Sequence, residues 1–440
     1  MRSPLSRLTT GLAPLSTLVV LGCASPTPSP QPTASQPPSA LSTVPSRAPI
    51  PVTSTTTTAP APVASGAPPA SRGPLQTFYE GLRALERGER EDHVRIIWLG
   101  DSHAQADFWT DVIRTGLQKR FGHGGPGFVH LGFKKYRHAD IRFDIRGRWR
   151  MRPKAPSTVL PWGDGAFGLG GILHAGWADY RSVSMTLEDP ALAGKPLRWD
   201  LCYKYGLEAD AFRLELGEAP PERFSPAKAS PTEGAAPIGA LTHIERRTQG
   251  PARLKVRILA GRPDFCGVVI ETDPKEASPG VVLDNLGING ARYATPLAWN
   301  EDAWAAEVKR RPAPELFIFE YGGNEASDLV LKPEQYKKNA LELIARARRI
   351  RPDVSCLVIG PSDRADAEAK IPPIVAALED AAAQAKCRFW NTYEVMGGRG
   401  SLRKWRDADK AALDGIHLKP KGYEEIGALL LQDLMVDYRR

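Results

Sequence analysis

The chain has 440 residues, of which 42% are hydrophobic and 25% charged, and its net charge is +8. This length leaves room for two or three globular domains, and proline, with 40 residues, is enriched near the N-terminus. The positive charge is not gathered into a basic cluster interleaved with aromatic residues, which argues against a nucleic-acid-binding protein.

The first 23 residues are predicted to be a lipoprotein-type signal peptide. Arg2 and Arg7 precede a short apolar stretch ending in small residues, which is typical of an export signal and too short for a membrane span. Residues 20–23, Val-Leu-Gly-Cys, resemble the lipobox of bacterial lipoproteins, in which the cysteine is acylated. Acylation at Cys23 would anchor the protein to a membrane, facing the periplasm or cell envelope, with the outer membrane expected. The alternative is an ordinary secretory signal with an incidental cysteine.

Residues 24–74 are predicted to form a disordered linker. They are almost entirely Pro, Ser, Thr, Ala and Gln, with Arg47 and Arg72 as their only charges, so they cannot bury enough apolar surface to fold. Proline-rich chain extends by about 3.1 Å per residue, so the linker would reach on the order of 150 Å from an anchor.

Residues 75–149 and 279–440 are predicted to be two parts of one α/β domain. Five apolar runs bounded by turn residues have the pattern of buried parallel strands, at 93–99, 280–286, 315–320, 353–359 and 386–390. Helical patterns separate most of them, at about 108–121, 333–347, 373–385 and 422–438. This alternation predicts a doubly wound parallel sheet, whose ligands gather at the carboxyl ends of the strands.

Residues 150–278 are predicted to be an inserted antiparallel β-sandwich. Apolar and polar residues alternate there in four short runs separated by turns rich in Gly, Pro and Asp, at about 183–187, 197–203, 212–216 and 254–258. The insertion interrupts the α/β domain after its first strand and helix.

Four cysteines remain if Cys23 is acylated. Export permits disulfides, and the pairings Cys202–Cys266 and Cys356–Cys387 are favoured because each joins residues of one predicted part of the chain. Four buried free thiols are the alternative. None of the cysteine spacings resembles a zinc site, and neither a metal nor a cofactor is expected.

Ser102 lies just past the first predicted strand, within Gly-Asp-Ser-His. Taken alone, Gly-Asp-Ser is weak evidence, because a serine that caps a helix would stand at the same position. Near the C-terminus, Asp414 precedes His417 by three residues, which lets the carboxylate reach Nδ1–H and fix the tautomer needed for Nε2 to take a serine proton. Together they predict a catalytic triad for acyl transfer.

Two further segments are candidate oxyanion donors. Asn324 follows Tyr-Gly-Gly directly after the third predicted strand, and its side-chain amide is a suitable donor. In residues 285–290, Asn-Leu-Gly-Ile-Asn-Gly, a glycine N–H could complete an oxyanion hole.

In combination these blocks resemble the SGNH, or GDSL-type, hydrolases. The resemblance implies Ser102 as nucleophile, His417 as base, Asp414 as its orienting acid, and Ser102, Gly290 and Asn324 as oxyanion donors. Gly287 competes with Gly290 for this role. The chain departs from the family pattern at His103 and Glu325, and neither position performs the proton transfer. We expect His103 to be structural or to face substrate.

The continuation of Gly-Asp-Ser-His as Ala-Gln-Ala-Asp-Phe, residues 124–128, the β-insertion and Gly397-Gly398 together resemble peptidoglycan O-acetylesterases. The resemblance implies a flavodoxin-like α/β fold with an insertion like a carbohydrate-binding module, and removal of the 6-O-acetyl group of N-acetylmuramic acid. Its expected partners are an acetylated glycan and, through Cys23, a membrane. Three alternatives stay open: an O-acetyltransferase, an esterase of another acetylated polysaccharide, and an inactive cell-wall-binding lipoprotein.

Overall fold

The computed structural model describes residues 73–132, 136–176, 181–226 and 238–439. Its helices are α1 (Gln76–Glu86), α2 (Ser102–Gln105), α3 (Trp109–Phe121), α4 (Ala294–Leu297), α5 (Glu301–Lys309), α6 (Pro333–Ile350), α7 (Ile371–Gln384), α8 (Thr392–Met396), α9 (Ser401–Asp407) and α10 (Pro420–Arg439). Its strands are β1 (Val94–Gly100), β2 (Gly127–Val129), β3 (Ile141–Arg146), β4 (Trp149–Arg152), β5 (Leu173–Gly176), β6 (Ser182–Leu187), β7 (Pro196–Lys204), β8 (Ala211–Leu216), β9 (Glu222–Phe224), β10 (Leu241–Gln249), β11 (Arg253–Ala260), β12 (Asp264–Thr272), β13 (Val281–Gly287), β14 (Leu316–Glu320), β15 (Ser355–Ile359) and β16 (Arg388–Trp390).

The five predicted apolar runs form one parallel sheet, which confirms the predicted fold class. The strand order is β13-β1-β14-β15-β16, so β1 lies between β13 and β14, its partners from the second part of the chain. In β1, Ile96 and Trp98 pack on one face of the sheet, while Ile97 and Leu99 pack on the other. Burial on both faces explains why these strands are continuous apolar runs.

Helices cover both faces of this sheet. The helices α1, α3 and α10 pack with Ile96 and Trp98, and α5, α6 and α7 pack with Ile97 and Leu99. The register places Gly100, at the end of β1, beside Gly287 on one side and Glu320 on the other. The segments that follow these three strands therefore meet at one edge of the sheet.

The insertion consists of two antiparallel sheets with a shared apolar core. One has the order β10-β7-β12-β5-β4, with β2 also paired to β12, and the other has the order β3-β6-β11-β8-β9. Their inward side chains form a cluster that includes Trp199, Phe212, Val256 and Phe265. The alternating runs predicted this sandwich because alternate residues of each run pack into this shared core.

The insertion begins earlier than the predicted boundary at residue 150. The strands β2 and β3 both precede that residue and pair with β12 and β6 of the insertion. The signal in β3 is the alternation of Ile141, Phe143 and Ile145 with charged residues, whereas β2 has only three residues and is too short to show a period.

Two disulfides join the favoured cysteine pairs. Cys202 bonds Cys266 between neighbouring strands of the insertion, with a Cα–Cα distance of 5.1 Å, and Cys356 bonds Cys387 in the α/β domain, with a Cα–Cα distance of 5.0 Å. Each bond thus lies within one part of the chain.

The predicted signal peptide, Cys23 and nearly all of the predicted linker lie outside the described residues. Pro74, where the linker was expected to end, already contacts the fold, because its carbonyl oxygen accepts a hydrogen bond from the Cys356 N–H. In the described ranges, no helix combines the length and apolar character that crossing a membrane requires.

Candidate active site

Ser102 is the first residue of α2, which starts immediately past the end of β1. Asp101 is the residue that caps this helix, since its Oδ1 accepts a hydrogen bond from the His103 N–H at 2.9 Å. The Ser102 hydroxyl is therefore not needed as a cap. Its Oγ instead lies 2.8 Å from Nε2 of His417, a residue 315 positions later in the chain.

His417 is oriented by Asp414 in the loop before α10. Nδ1 of His417 lies 2.7 Å from Oδ2 of Asp414, while Oδ1 accepts the backbone N–H groups of Ile416 and His417 at 3.0 and 2.9 Å. Gly415 permits this tight turn with a φ of +74°. The structure therefore brings the three predicted triad residues into one hydrogen-bonded chain.

The Asp414 carboxylate is held in its ionised form although it is partly buried. Burial raises its pKa, but the hydrogen bonds from the His417 side chain and from the loop N–H groups lower it more, so the net pKa lies below the usual value. An ionised carboxylate at Nδ1 stabilises the imidazolium that forms when Nε2 accepts a proton. The side chains of both residues are partly exposed, 36% for His417 and 48% for Asp414, which leaves them accessible from solvent.

The backbone distinguishes the two candidate glycines. The Gly287 N–H already donates to Oδ1 of Asn285 at 3.1 Å, and a Cβ at Gly287 would come within 2.3 Å of the Gln105 nitrogen. Gly287 is therefore needed for the close approach of β13 to α2. The N–H groups of Gly290 and Ser102 make no hydrogen bond to any residue within the described ranges, so both remain available to an oxyanion. This favours Gly290, whose role stays a prediction.

Asn324 lies beside the nucleophile loop, but its amide is already engaged. Nδ2 donates to Oδ2 of Asp101 at 3.1 Å and to the Ala291 carbonyl at 3.0 Å. These two bonds occupy both amide hydrogens. The amide therefore joins the three segments at the site, and it would have to exchange one of these bonds to serve as the predicted oxyanion donor.

Two buried carboxyl groups support these segments, and sequence reasoning missed both roles. Glu320, at the end of β14, accepts the Asp101 N–H at 3.3 Å, and burial beside the Asp101 carboxylate raises its pKa well above the usual range. Glu325 accepts the N–H groups of Tyr293 and Gly322 at 3.0 and 3.1 Å, and burial raises its pKa to about 7. The available signal was an acidic residue ending an otherwise apolar strand, Leu316–Glu320.

His103 is buried next to His417 and is held in place by neighbouring side chains. It is buried, its Nδ1 lies 2.9 Å from the Tyr423 hydroxyl of α10, and its ring centroid lies 5.3 Å from that of His417. Burial lowers the pKa of His103, which favours the neutral imidazole next to the predicted base. Tyr423 supports the site through its hydrogen bond with His103. No sequence motif indicated this role.

The insertion also reaches the site. A Cβ at Gly290 would lie 3.3 Å from Oγ of Ser157, and the Ser157 carbonyl accepts a hydrogen bond from the Thr295 hydroxyl at 3.0 Å. The loop that follows β4 therefore packs against the candidate oxyanion glycine. No pattern in the sequence indicated this contact.

One group of potential metal ligands occurs among the described residues, formed by Cys202, His243 and Glu307. The Cys202 sulfur is bonded to Cys266, and the two ring nitrogens of His243 contact Asp200 and Glu307 at 2.9 and 3.1 Å. These atoms are thus already committed to a disulfide and an ion-pair network.

Residues 267–425 match the model of the GDSL-like lipase/acylhydrolase family. Over these residues the chain is similar to the SGNH hydrolases of the GDSL-like type. The match contains Gly290, Asn324, Asp414 and His417 and begins after Ser102. The match supports a carboxylic ester hydrolase.

Among the solved structures that match the chain, one shares its fold. A structure described as a peptidoglycan O-acetylesterase in action is 24% identical, with a TM-score of 0.66 over 84% of this chain and 97% of the other. A lipase/acylhydrolase from Enterococcus faecalis is 18% identical, with a TM-score of 0.27 over 35% and 76%. An active-site mutant of a family two carbohydrate esterase from Clostridium thermocellum is 10% identical, with a TM-score of 0.28 over 67% and 97%. No curated protein matches the chain by sequence.

Proposed function

We propose that this protein is an exported serine esterase that removes O-acetyl groups from a cell-envelope glycan, with the 6-O-acetyl group of peptidoglycan N-acetylmuramic acid as its substrate. The observation that carries the proposal is the hydrogen-bonded chain from Ser102 through His417 to Asp414. The N–H groups of Ser102 and of Gly290, in the loop after β13, make no hydrogen bond within the described ranges. This arrangement suits acyl transfer through an acetyl-serine intermediate.

In the first step, Oγ of Ser102 attacks the acetyl carbonyl carbon while Nε2 of His417 takes the hydroxyl proton. The negative charge that develops on the carbonyl oxygen is stabilised by the N–H groups of Ser102 and Gly290, joined by the Asn324 amide if it exchanges a hydrogen bond. The bond between the carbonyl carbon and the sugar oxygen then breaks. His417 returns its proton to that oxygen, leaving acetyl-Ser102.

In the second step, water attacks the acetyl-Ser102 carbonyl and gives its proton to Nε2 of His417. The second tetrahedral intermediate collapses, acetate leaves, and the proton returns to Oγ of Ser102. Asp414 stays ionised throughout and stabilises the imidazolium in both steps. Each cycle consumes one water and yields one acetate, one proton and one free sugar hydroxyl.

Three features support a glycan of the cell envelope as substrate. The neighbour of the same fold with a TM-score of 0.66 is described as a peptidoglycan O-acetylesterase. The N-terminal sequence is typical of an exported, acylated protein on a long tether, which suits a substrate that is itself immobile. The two disulfides fit an oxidising compartment.

The test compares acetate release from O-acetylated peptidoglycan and from acetylated xylan. The wild-type enzyme should release acetate from peptidoglycan preferentially, and Ser102→Ala should lower kcat by about 10⁴-fold or more. Ser278→Ala is the matched control, because Ser278 is exposed and lies in the turn before β13. Equal release by wild type and Ser102→Ala would overturn the nucleophile. Preference for xylan would overturn the peptidoglycan substrate but not the chemistry.

Membrane attachment is tested separately in the full chain. Cys23→Ser should move the protein from the membrane fraction to the soluble fraction of the expressing cells, because the acylated residue is lost. Unchanged membrane retention would overturn acylation at Cys23.

A further inference from the structure

The outer sheet of the insertion carries arginines in one row across its strands. In the sheet β3-β6-β11-β8-β9, Arg146 pairs with Ser182, Ser182 with Arg257, Arg257 with Arg213, and Arg213 with Arg223. Residues directly opposite each other on neighbouring strands lie on the same face of a sheet. We call these four arginines, Arg146, Arg257, Arg213 and Arg223, the arginine row.

The row lies on the solvent side of the sheet. The neighbouring residues of β11 and β8, among them Val256, Ile258 and Leu214, point to the apolar core, so the arginines between them point away from it. Arg146, Arg213 and Arg223 are exposed, and Arg257 is partly buried. Strands are about 4.8 Å apart, so the last three arginines follow one another at about 5 Å intervals.

The arginines of the row form few ion pairs within the described residues. Within the described residues, Arg146 has one carboxylate neighbour, Asp144, at 3.3 Å, and Arg257, Arg213 and Arg223 form no ion pair. Like charges directly opposite each other destabilise a sheet. Three adjacent arginines in register that form no ion pair within the described residues therefore have a cost to stability, which points to a role in binding an anion.

Four of the positive charges on this face lie in the arginine row, while Lys255, Arg142 and Arg253 lie in the two rows beyond it. The next row on the same face contains Asp144, Ser184, Lys255 and Glu215, and Lys255 forms an ion pair with Glu215 at 2.9 Å. Two carboxylates thus flank the row on one side. A planar anionic surface would have to approach those carboxylates as well, whereas a chain lying along the row would not.

We propose that the arginine row is a binding site for a linear polycarboxylate. The guanidinium group matches a carboxylate with two parallel N–H donors, and a run of guanidinium groups across the strands matches a polymer with regularly placed carboxylates. The outward residues of the two rows are charged or hydroxylic, without the apolar side chains that insert into a lipid interface. The flanking carboxylates and the lack of apolar contacts both favour a polymer over a membrane.

This site is separate from the esterase chemistry. The row belongs to β3, β11, β8 and β9 and shares no residue with the triad or its supporting segments. Failure of the acetate-release assay would therefore leave this inference standing, and failure of polymer binding would leave the triad standing.

The experiment measures binding of the full chain to fluorescently labelled poly-L-glutamate by anisotropy. The test variant is Arg257→Gln, Arg213→Gln, Arg223→Gln in one chain, which removes three charges. The matched control is Lys309→Gln, Lys338→Gln, Lys404→Gln, which removes three exposed cations of the α/β domain that also lack an ion pair within the described ranges. Poly-L-glutamine serves as the uncharged polymer, and polyphosphate and anionic phospholipid vesicles serve as other anions.

The wild type and the lysine control should bind poly-L-glutamate with similar affinity, and the arginine variant should bind about tenfold or more weakly. Added salt should weaken the binding of the wild type, and it should weaken the binding of the arginine variant to a smaller extent. Loss of like-charge repulsion should leave the melting temperature of that variant equal or higher, which shows that it folds. Equal binding by wild type and arginine variant, or equal loss in the lysine control, would overturn the site. Binding to vesicles or polyphosphate in preference to poly-L-glutamate would overturn the polycarboxylate as partner.

Discussion

His243 links the insertion to the α/β domain, and its protonation should set the alkaline limit of stability. It lies on β10, with Nδ1 2.9 Å from Oδ1 of Asp200 on β7 and Nε2 3.1 Å from Oε1 of Glu307 on α5. Arg310 approaches the other Asp200 oxygen at 3.2 Å. Only the imidazolium can donate to both carboxylates at once, so its charge holds the two parts of the protein together.

The size of this effect follows from the pKa of His243. Burial lowers this pKa, but the hydrogen bonds to Asp200 and Glu307 raise it more, from the usual 6.5 to about 9. At about 1.4 kcal/mol for each pH unit between these values, protonation contributes about 3 kcal/mol to folding. Because the pKa is raised in the folded state, this stability is fully present below pH 6.5 and is lost as the pH rises through about 9.

The assay is urea unfolding of wild type and His243→Gln at about pH 6 and about pH 9.5. The His243→Gln variant should be less stable than the wild type at both pH values, because Asp200 and Glu307 lose their shared partner. The comparison is therefore between the two proteins' changes in the free energy of unfolding with pH. We expect the wild type to lose about 3 kcal/mol more than the variant over this range. Parallel pH dependence in the two proteins would refute the reasoning, as would an NMR titration of the His243 ring with a pKa near 6.5.

Three further substitutions test the site. Asp414→Asn should lower kcat for an acetyl ester by about 10²- to 10⁴-fold with little change in KM, because His417 loses the charge that supports its imidazolium; unchanged kcat would contradict the triad. Gly290→Ala, at a φ of +77°, should lower the free energy of unfolding by about 1–2 kcal/mol and should also lower kcat. Gly163→Ala, at a φ of +57° with open space around it, should lower only the free energy of unfolding. Equal kcat values for the two variants would count against Gly290. Glu325, with a pKa of about 7, should make the wild type less stable as the pH rises from about 4.5 to 7, by up to about 3 kcal/mol, and Glu325→Gln should remove this dependence in urea unfolding.

The parallel sheet could be predicted from the sequence because its strands are buried on both faces. Neither Val94–Leu99 nor Leu316–Phe319 has a solvent-exposed face, so each is a nearly continuous apolar run. The helix Gln76–Glu86 was missed because it follows the proline-rich segment without a capping residue. The start of the insertion was missed because a strand of three residues, Gly127–Val129, shows no period.

Ser102, Asp414 and His417, which the structure brings together by hydrogen bonds, could be proposed from sequence because each lies in a recognisable local segment. Ser102 stands at the end of a buried strand, and the spacing of Asp414 and His417 suffices for a hydrogen bond within one loop. The state of Asn324 could not be predicted, since its two acceptors come from residues 33 and 223 positions away. Hydrogen bonds between distant segments depend on how those segments pack, and sequence spacing carries no information about that.

The insertion is part of the enzyme's structure and not merely attached to it. Glu271 of β12 forms buried ion pairs with Arg95 of β1 at 2.6 Å and with Arg311 after α5 at 3.1 Å, and Asp284 of β13 pairs with the same two arginines. Burial opposes ionisation of Glu271, but Arg95 and Arg311 lower its pKa more, so it is charged. Without the insertion, these two buried guanidinium groups would share one carboxylate, and a buried charge that loses its partner costs about 3–5 kcal/mol. The loop at Ser157, also in the insertion, packs against Gly290. The segment that separates Ser102 from His417 in sequence therefore stabilises the sheet that brings them together.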